Sequence, residues 1–240
     1  MRVALLLARR EFASLFRVPV GWLVLALYAA LWGGMFAQFV LVEGAPATLR
    51  PIFATAGWLM LPLAPAISMR LLSDEYRTGS YETLATAPAS DAAIALGKFL
   101  GAAAFLLAML ACTLPTVGVL LAISDPMPDP GPIAAGYLSV TLVGVLFLSV
   151  GLTASSLTSS QTLAFLGAMI ALLAWLLATT VGRQRAPAWL ADALGTIDVT
   201  GRLAGFAKGV IDTGDVAFFL VASGWFVLAA SMILSIRRWA

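Results

Sequence analysis

Long runs free of charge alternate along this chain with short polar stretches, and the runs have the length of a membrane crossing. Val18 to Val42 is the first, Pro51 to Met69 the second and Phe99 to Ser124 the third. Each comes near the roughly 20 apolar residues that a helix needs to cross a bilayer. Pro130 to Gly182 is too long for one crossing. The polar sequence Ser155-Ser156-Leu157-Thr158-Ser159-Ser160-Gln161 reads as the tip of a hairpin and divides it into two spans. Val216 to Ile236 is the sixth. The pattern predicts an all-α polytopic membrane protein, a single domain over 1–240. Its six transmembrane helices are expected at about 20–42, 52–72, 99–123, 132–155, 161–182 and 216–236.

Two polar stretches interrupt the pattern in a structured way. In the N-terminal segment, Leu5, Ala8, Phe12, Leu15 and Phe16 gather on one side of a helical wheel, with Arg2, Arg9, Arg10 and Arg17 mostly on the other. This predicts an interfacial helix, with Arg9 and Arg10 toward headgroups and Phe12 and Phe16 toward acyl chains. The alternative is a plain extension of the first span; Pro19, just after Arg17, offers a corner that favours the separate helix. Arg9, Arg10 and Glu11 break the apolar run too early for a cleavable leader. The second stretch, Arg70 to Lys98, carries seven charged residues in a protein that is only 11% charged. Asp74, Glu75, Arg77 and Glu82 fall at helical spacings around Gly79. They predict a short amphipathic helix, or a helix pair broken at Gly79, at the membrane surface. A solvated face with i,i+3 ion pairs is the plainer reading of the same residues.

Composition narrows the class further. The chain is 61% hydrophobic with a mean hydropathy of +0.99. There is no histidine, and Cys112 is the one cysteine. Histidine–cysteine metal sites, serine–histidine or cysteine–histidine catalysis and an internal disulfide are therefore excluded. A net charge of +2 reports topology and lipid contact here rather than nucleic acid. Arg2, Arg9, Arg10, Arg17, Arg70, Arg77, Lys98, Arg237 and Arg238 would lie on one side, against Arg50, Arg183, Arg185, Arg202 and Lys208 on the other. That imbalance predicts that both termini are cytoplasmic. No ionisable residue is expected deep in a span, which argues against a proton relay or an ion-coupled carrier. Gly97-Lys98-Phe99 lacks the upstream glycine of a nucleotide-binding loop, so any ATP must be handled elsewhere. Gly97 and Gly101 form a small-residue pair suited to close packing within the chain or to a dimer seam.

The order and spacing of several short motifs resemble the membrane subunits of ABC-2 type transporters, most closely the gliding-motility-type permeases. They begin with Phe16-Arg17-Val18-Pro19-Val20-Gly21-Trp22 and Pro65-Ala66-Ile67-Ser68-Met69-Arg70-Leu71. The sharpest is Asp74-Glu75-Tyr76-Arg77-Thr78-Gly79-Ser80-Tyr81-Glu82-Thr83-Leu84, which departs from the family pattern at Tyr76, Ser80 and Tyr81. Leu96-Gly97-Lys98-Phe99, Gly136-Tyr137-Leu138, Ser155-Ser156-Leu157-Thr158 and Lys208-Gly209-Val210-Ile211-Asp212 follow in order. The resemblance implies a permease subunit, not itself an enzyme, that pairs with an identical or homologous membrane subunit in the bacterial inner membrane. Cytosolic ABC ATPase subunits would bind ATP and magnesium, with no cofactor on this chain. It further implies that the segment between spans two and three is the cytoplasmic coupling helix, docking the ATPase through Asp74, Glu75, Arg77, Gly79, Glu82 and Leu84. Export is the expected direction, with the substrate unspecified. A structural membrane anchor of the same fold is the alternative. In the family's pattern the segment 183–215 holds short re-entrant helices capping the exit; a surface loop packed on span six is the plainer reading.

Overall fold

A computed structural model describes residues 2–42, 46–80, 89–125, 127–207 and 209–239, without the side chains of 207 and 239. Glu82 and Leu84 lie outside the described residues. Among those described, every regular element is a helix, and six helices are long and apolar enough to cross a membrane. In chain order the helical elements begin with α1 (Arg2–Arg17), α2 (Pro19–Phe39), α3 (Arg50–Ser68), α4 (Ser73–Thr78), α5 (Asp91–Ala111) and α6 (Leu114–Ile123). Then come α7 (Pro130–Leu157), α8 (Gln161–Leu177), α9 (Ala188–Thr196), α10 (Val199–Ala207) and α11 (Thr213–Trp239). Helix α8 continues through a π turn, Ala178–Gly182, to Arg185.

Local chemistry sets the boundaries. Val18 is extended, as a residue before proline must be, and Pro19 then opens α2, so α1 and α2 meet at a corner. Ser90 caps α5 by accepting a hydrogen bond from the Ala93 N–H at 3.2 Å, and Asp129 caps α7 through the Gly131 N–H at 2.9 Å. Pro62 and Pro65 lie inside α3 without ending it. The third span differs from the expected 99–123. It begins eight residues earlier, at Asp91, and is broken at Cys112–Thr113 ahead of Pro115. Side chains satisfy the break, as a nonpolar surround demands. Thr113 and Thr116 donate to the carbonyls of Leu110 and Thr113, each at 2.7 Å, and Trp32 Nε1 donates to Thr116 at 3.0 Å. The hairpin tip between spans four and five is also shorter than expected. Ser155 and Ser156 are buried in the last turn of α7, bonded to its own carbonyls.

Helix α7 is the centre of the bundle. Of its most apolar window 67% is buried, against 22% for α11. It packs on α3, α5, α8, α10 and α11. The outward faces of α2 and α11 present Leu23, Leu27 and Leu31, and Val221, Trp225, Leu228 and Met232. Rows of exposed apolar side chains at helical spacing suit hydrocarbon, not water. Helix α10 seats Val199 and Phe206 in the core and lays Leu203 beside Gly57, so it is held chiefly by α7 and α3.

Candidate coupling site

Helix α4 is only six residues long, too short to hold its shape unaided. Its C-terminus turns at Gly79, whose φ of 72° lies in the left-handed region open to glycine. Its conformation is set by three sets of polar contacts.

The first set joins α4 to α1 and α5. Lys98, on the second turn of α5, lies 2.8 Å from Glu75 Oε1 and 3.2 Å from Glu11 Oε2. Arg10 Nη2 reaches the same Glu75 oxygen at 3.3 Å. The side chains of Lys98, Glu75 and Glu11 are 3%, 11% and 13% exposed. This is a buried lysine bridging two carboxylates. Removing one partner of such a pair strands charge and costs about 3–5 kcal/mol, whereas an exposed pair is worth about 0–1 kcal/mol.

The second set joins α4 to span five. Asp74 Oδ1 accepts from Arg77 at 2.7 Å and from Gln161 Nε2 at 2.9 Å, while Oδ2 accepts from Arg70 at 3.3 Å. The third set brings in the end of span six. The Arg237 guanidinium stands 4.4 Å from the centre of the Tyr76 ring and donates to the Leu157 carbonyl at 2.6 Å. Next to it, Arg238 pairs with Asp91 at 3.3 Å. The N-terminal helix, α4, the start of α5, the α7–α8 turn and the end of α11 therefore meet at one end of the bundle.

The residues singled out in the sequence part company here. Glu75 faces inward, so the exposed face read from helical spacing does not include it. Asp74 is half-buried, and Arg77, Thr78, Gly79 and Ser80 form the exposed tip. On α1, Arg9 and Arg10 are exposed. Phe12 and Phe16 are half-buried and stack edge-on with each other, and Phe16 also meets Phe105 and Trp22. They pack on α5 instead of pointing wholly to lipid. Gly97 and Gly101 make room for α1: a Cβ at Gly97 would stand 2.8 Å from the Ala4 carbonyl oxygen, and at Gly101 2.8 Å from that of Ala8. Sequence reasoning missed Glu11, Lys98 and Gln161. The available signal was Glu11, the lone acid on a helix with four arginines.

At the opposite end, Arg202 pairs with Asp215 and lies over the Phe218 ring, and Arg183 reaches Asp198 at 3.8 Å. Trp189 is exposed there. Among the described residues no cluster of histidine, cysteine, aspartate or glutamate has the grouping to hold a metal ion.

Six apolar helices, the fourth the most buried, with charge gathered at the two ends, define a multi-pass membrane protein. The chain belongs to the ABC-2 family: the model described as ABC-2 family transporter protein matches residues 45–195, more than half of its length. No curated protein sequence matches it. Membership makes the chain a membrane permease subunit of an ABC transporter, a transport component rather than a catalyst.

Proposed function

We propose that this chain is the permease subunit of an ABC exporter whose cytosolic ATPase docks on the end of the bundle that holds α4. The observation that carries the reading is the three-way anchoring of α4 to α1, to the start of α8 and to the end of α11. A helix of six residues tied to three elements is suited to receive a push and spread it. The exposed tip, Arg77 to Ser80, with Glu82 and Leu84 following in sequence, is the docking edge. Glu75 and Asp74 hold that edge from behind.

The ATPase subunits supply ATP and magnesium, and this chain needs no cofactor of its own. A second membrane subunit, identical or homologous, completes the transport path. Both termini lie in the cytoplasm of a bacterium, beneath its inner membrane, with the arginines of α1 at the level of the headgroups. The motif order supports a reading of the chain as nearest the gliding-motility-type permeases. Helices α9 and α10 cover the outer exit.

The test is purification of the native complex with its cytosolic ATPase, followed by cross-linking from a cysteine at Thr78 in a Cys112→Ser background. Cross-links to an ATPase, together with ATP turnover lost on Glu82→Lys or Gly79→Pro at normal membrane insertion, are expected. Proline fixes φ near −65° and cannot adopt the left-handed turn at Gly79. Normal turnover and normal ATPase recovery in both variants would overturn the docking role.

A further inference from the structure

Lys98 is the single buried cation among three helices that the fold needs to keep in register. It lies on α5, Glu11 comes from α1 and Glu75 from α4. Helix α1 is already locked to α5 by close packing at Gly97 and Gly101. Helix α4 is joined to α1 and α5 by the ion pairs of Glu75. Glu75 Oε1 receives both Lys98 and Arg10, and Arg10 is largely exposed, with 59% of its side chain open. Water weakens the Arg10 contact, so of the two ties to Glu75 the buried Lys98 pair is the stronger. Glu11 has a different task. One lysine facing two carboxylates leaves an excess negative charge, which Arg10 offsets from the solvent side. Loss of Lys98 alone would press Glu11 and Glu75 against each other with only Arg10 between them.

We propose that Lys98 is a positioning residue for the ATP-driven step: it fixes α4 to span three through Glu75, with Glu11 as its second partner, on α1. This rests on α4 being the docking element. Motion of α4 then passes into α1 and α5 together through the Glu75–Lys98–Glu11 joint. The arrangement predicts an unequal ranking. Glu11→Gln leaves Lys98, Glu75 and Arg10 in place and barely loosens α4. Glu75→Gln and Lys98→Met both release it. Lys98→Met also exposes carboxylate repulsion and lowers the folded yield, which the double variant Glu11→Gln/Lys98→Met restores without restoring the link.

Spin labels at Leu6→Cys on α1 and Thr78→Cys on α4, in a Cys112→Ser background, read the link directly in the purified chain in nanodiscs. The parent and Glu11→Gln should give one narrow distance distribution. Glu75→Gln, Lys98→Met and the double variant should give broad ones. In the complex copurified with its ATPase, the double variant should retain the ATPase yet lose ATP turnover by about fivefold or more, the scale of a lost coupling between sites. Narrow distributions in Glu75→Gln and Lys98→Met, or a Glu11→Gln distribution as broad as theirs, would overturn the proposal. So would full turnover in the double variant. If the parent never yields a cross-link from position 78 to an ATPase, the docking reading falls instead, and the distance measurements still decide whether Lys98 holds α4.

Discussion

Gly151 sits where α7 crosses α3, and the space for a side chain there is already filled. A Cβ at this position would lie 1.8 Å from Ser68 Oγ, 2.8 Å from Ser68 Cβ and 3.7 Å from Pro65 Cα. Ser68 is fully buried, its hydroxyl donates to the Ala64 carbonyl at 2.8 Å, and its Cβ is not moved by any change of rotamer. Gly151→Ala should therefore destabilise the protein by about 1–3 kcal/mol, the cost of overpacking a tight core. Ser68→Gly in the same chain should recover part of the loss by removing both offending atoms. Thermal unfolding in detergent, followed by fluorescence size exclusion, measures both. An unchanged midpoint for Gly151→Ala would mean that α3 and α7 are not in this register. The same closeness explains how Pro65 is tolerated inside α3: it is buried against α7, in a helix held from outside.

Among the elements, α1 shows what a hydrophobic pattern can and cannot disclose. A wheel sorted by hydropathy puts Leu5 with Ala8, Phe12, Leu15 and Phe16, yet Leu5 is 62% exposed while Ala4 is buried. The packed face is chosen by size: Ala4 and Ala8 let α1 approach Gly97 and Gly101 closely, and the acid Glu11 lies on that same face. Its partner Lys98 is 87 positions away, a distance over which no local period carries information. The long spans were legible because the bilayer imposes length and apolarity on every crossing, whatever the tertiary contacts. The break at Cys112–Thr113 was not, because the contacts that tie it to its neighbours, Trp32 of α2 to Thr116 and Tyr137 of α7 to Thr113, are distant in sequence. Close packing gives the prediction for this element. A Cβ at Gly101 would meet backbone, the Ala8 carbonyl oxygen at 2.8 Å and the Phe12 nitrogen at 3.2 Å, which cannot rotate away. Gly101→Ala should lift α1, raising amide exchange over residues 2–17 by about tenfold or more, equivalent to about 1.4 kcal/mol. Gly33→Ala, at a position with nothing within 4 Å, is the control and should change nothing. Equal protection of α1 in both variants would refute the close approach.

For the whole molecule, the two ends of the bundle differ in what they can tolerate from water and from the membrane. Helix α7, at 28 residues, is about 42 Å long at 1.5 Å per residue, so it overreaches a hydrocarbon core of about 30 Å. The surplus lies where charge is found: Glu11, Asp74, Glu75, Arg77, Asp91, Lys98, Arg237 and Arg238 at one end, Asp129, Arg183, Asp198, Arg202 and Asp215 at the other. Both described ends of the chain fall at the first, as an even number of crossings requires. The greater count of arginine and lysine at that end supports the proposal that it faces the cytoplasm. Single cysteines in a Cys112→Ser background, probed in intact cells with a membrane-impermeant maleimide, test the arrangement. Cysteines at Met127 and Asp192, both exposed at the opposite end, should label from outside. A cysteine at Thr78 should label only after the membrane is opened. Cys112 itself, tested in the native chain, is exposed on the bundle surface but lies at the break between α5 and α6, within a 33-residue span. A charged reagent excluded from hydrocarbon should leave it unmodified in intact cells and in opened membranes alike. Labelling of Thr78→Cys from outside, with Asp192→Cys protected, would invert the orientation and move the docking end to the wrong side of the membrane for a cytosolic ATPase.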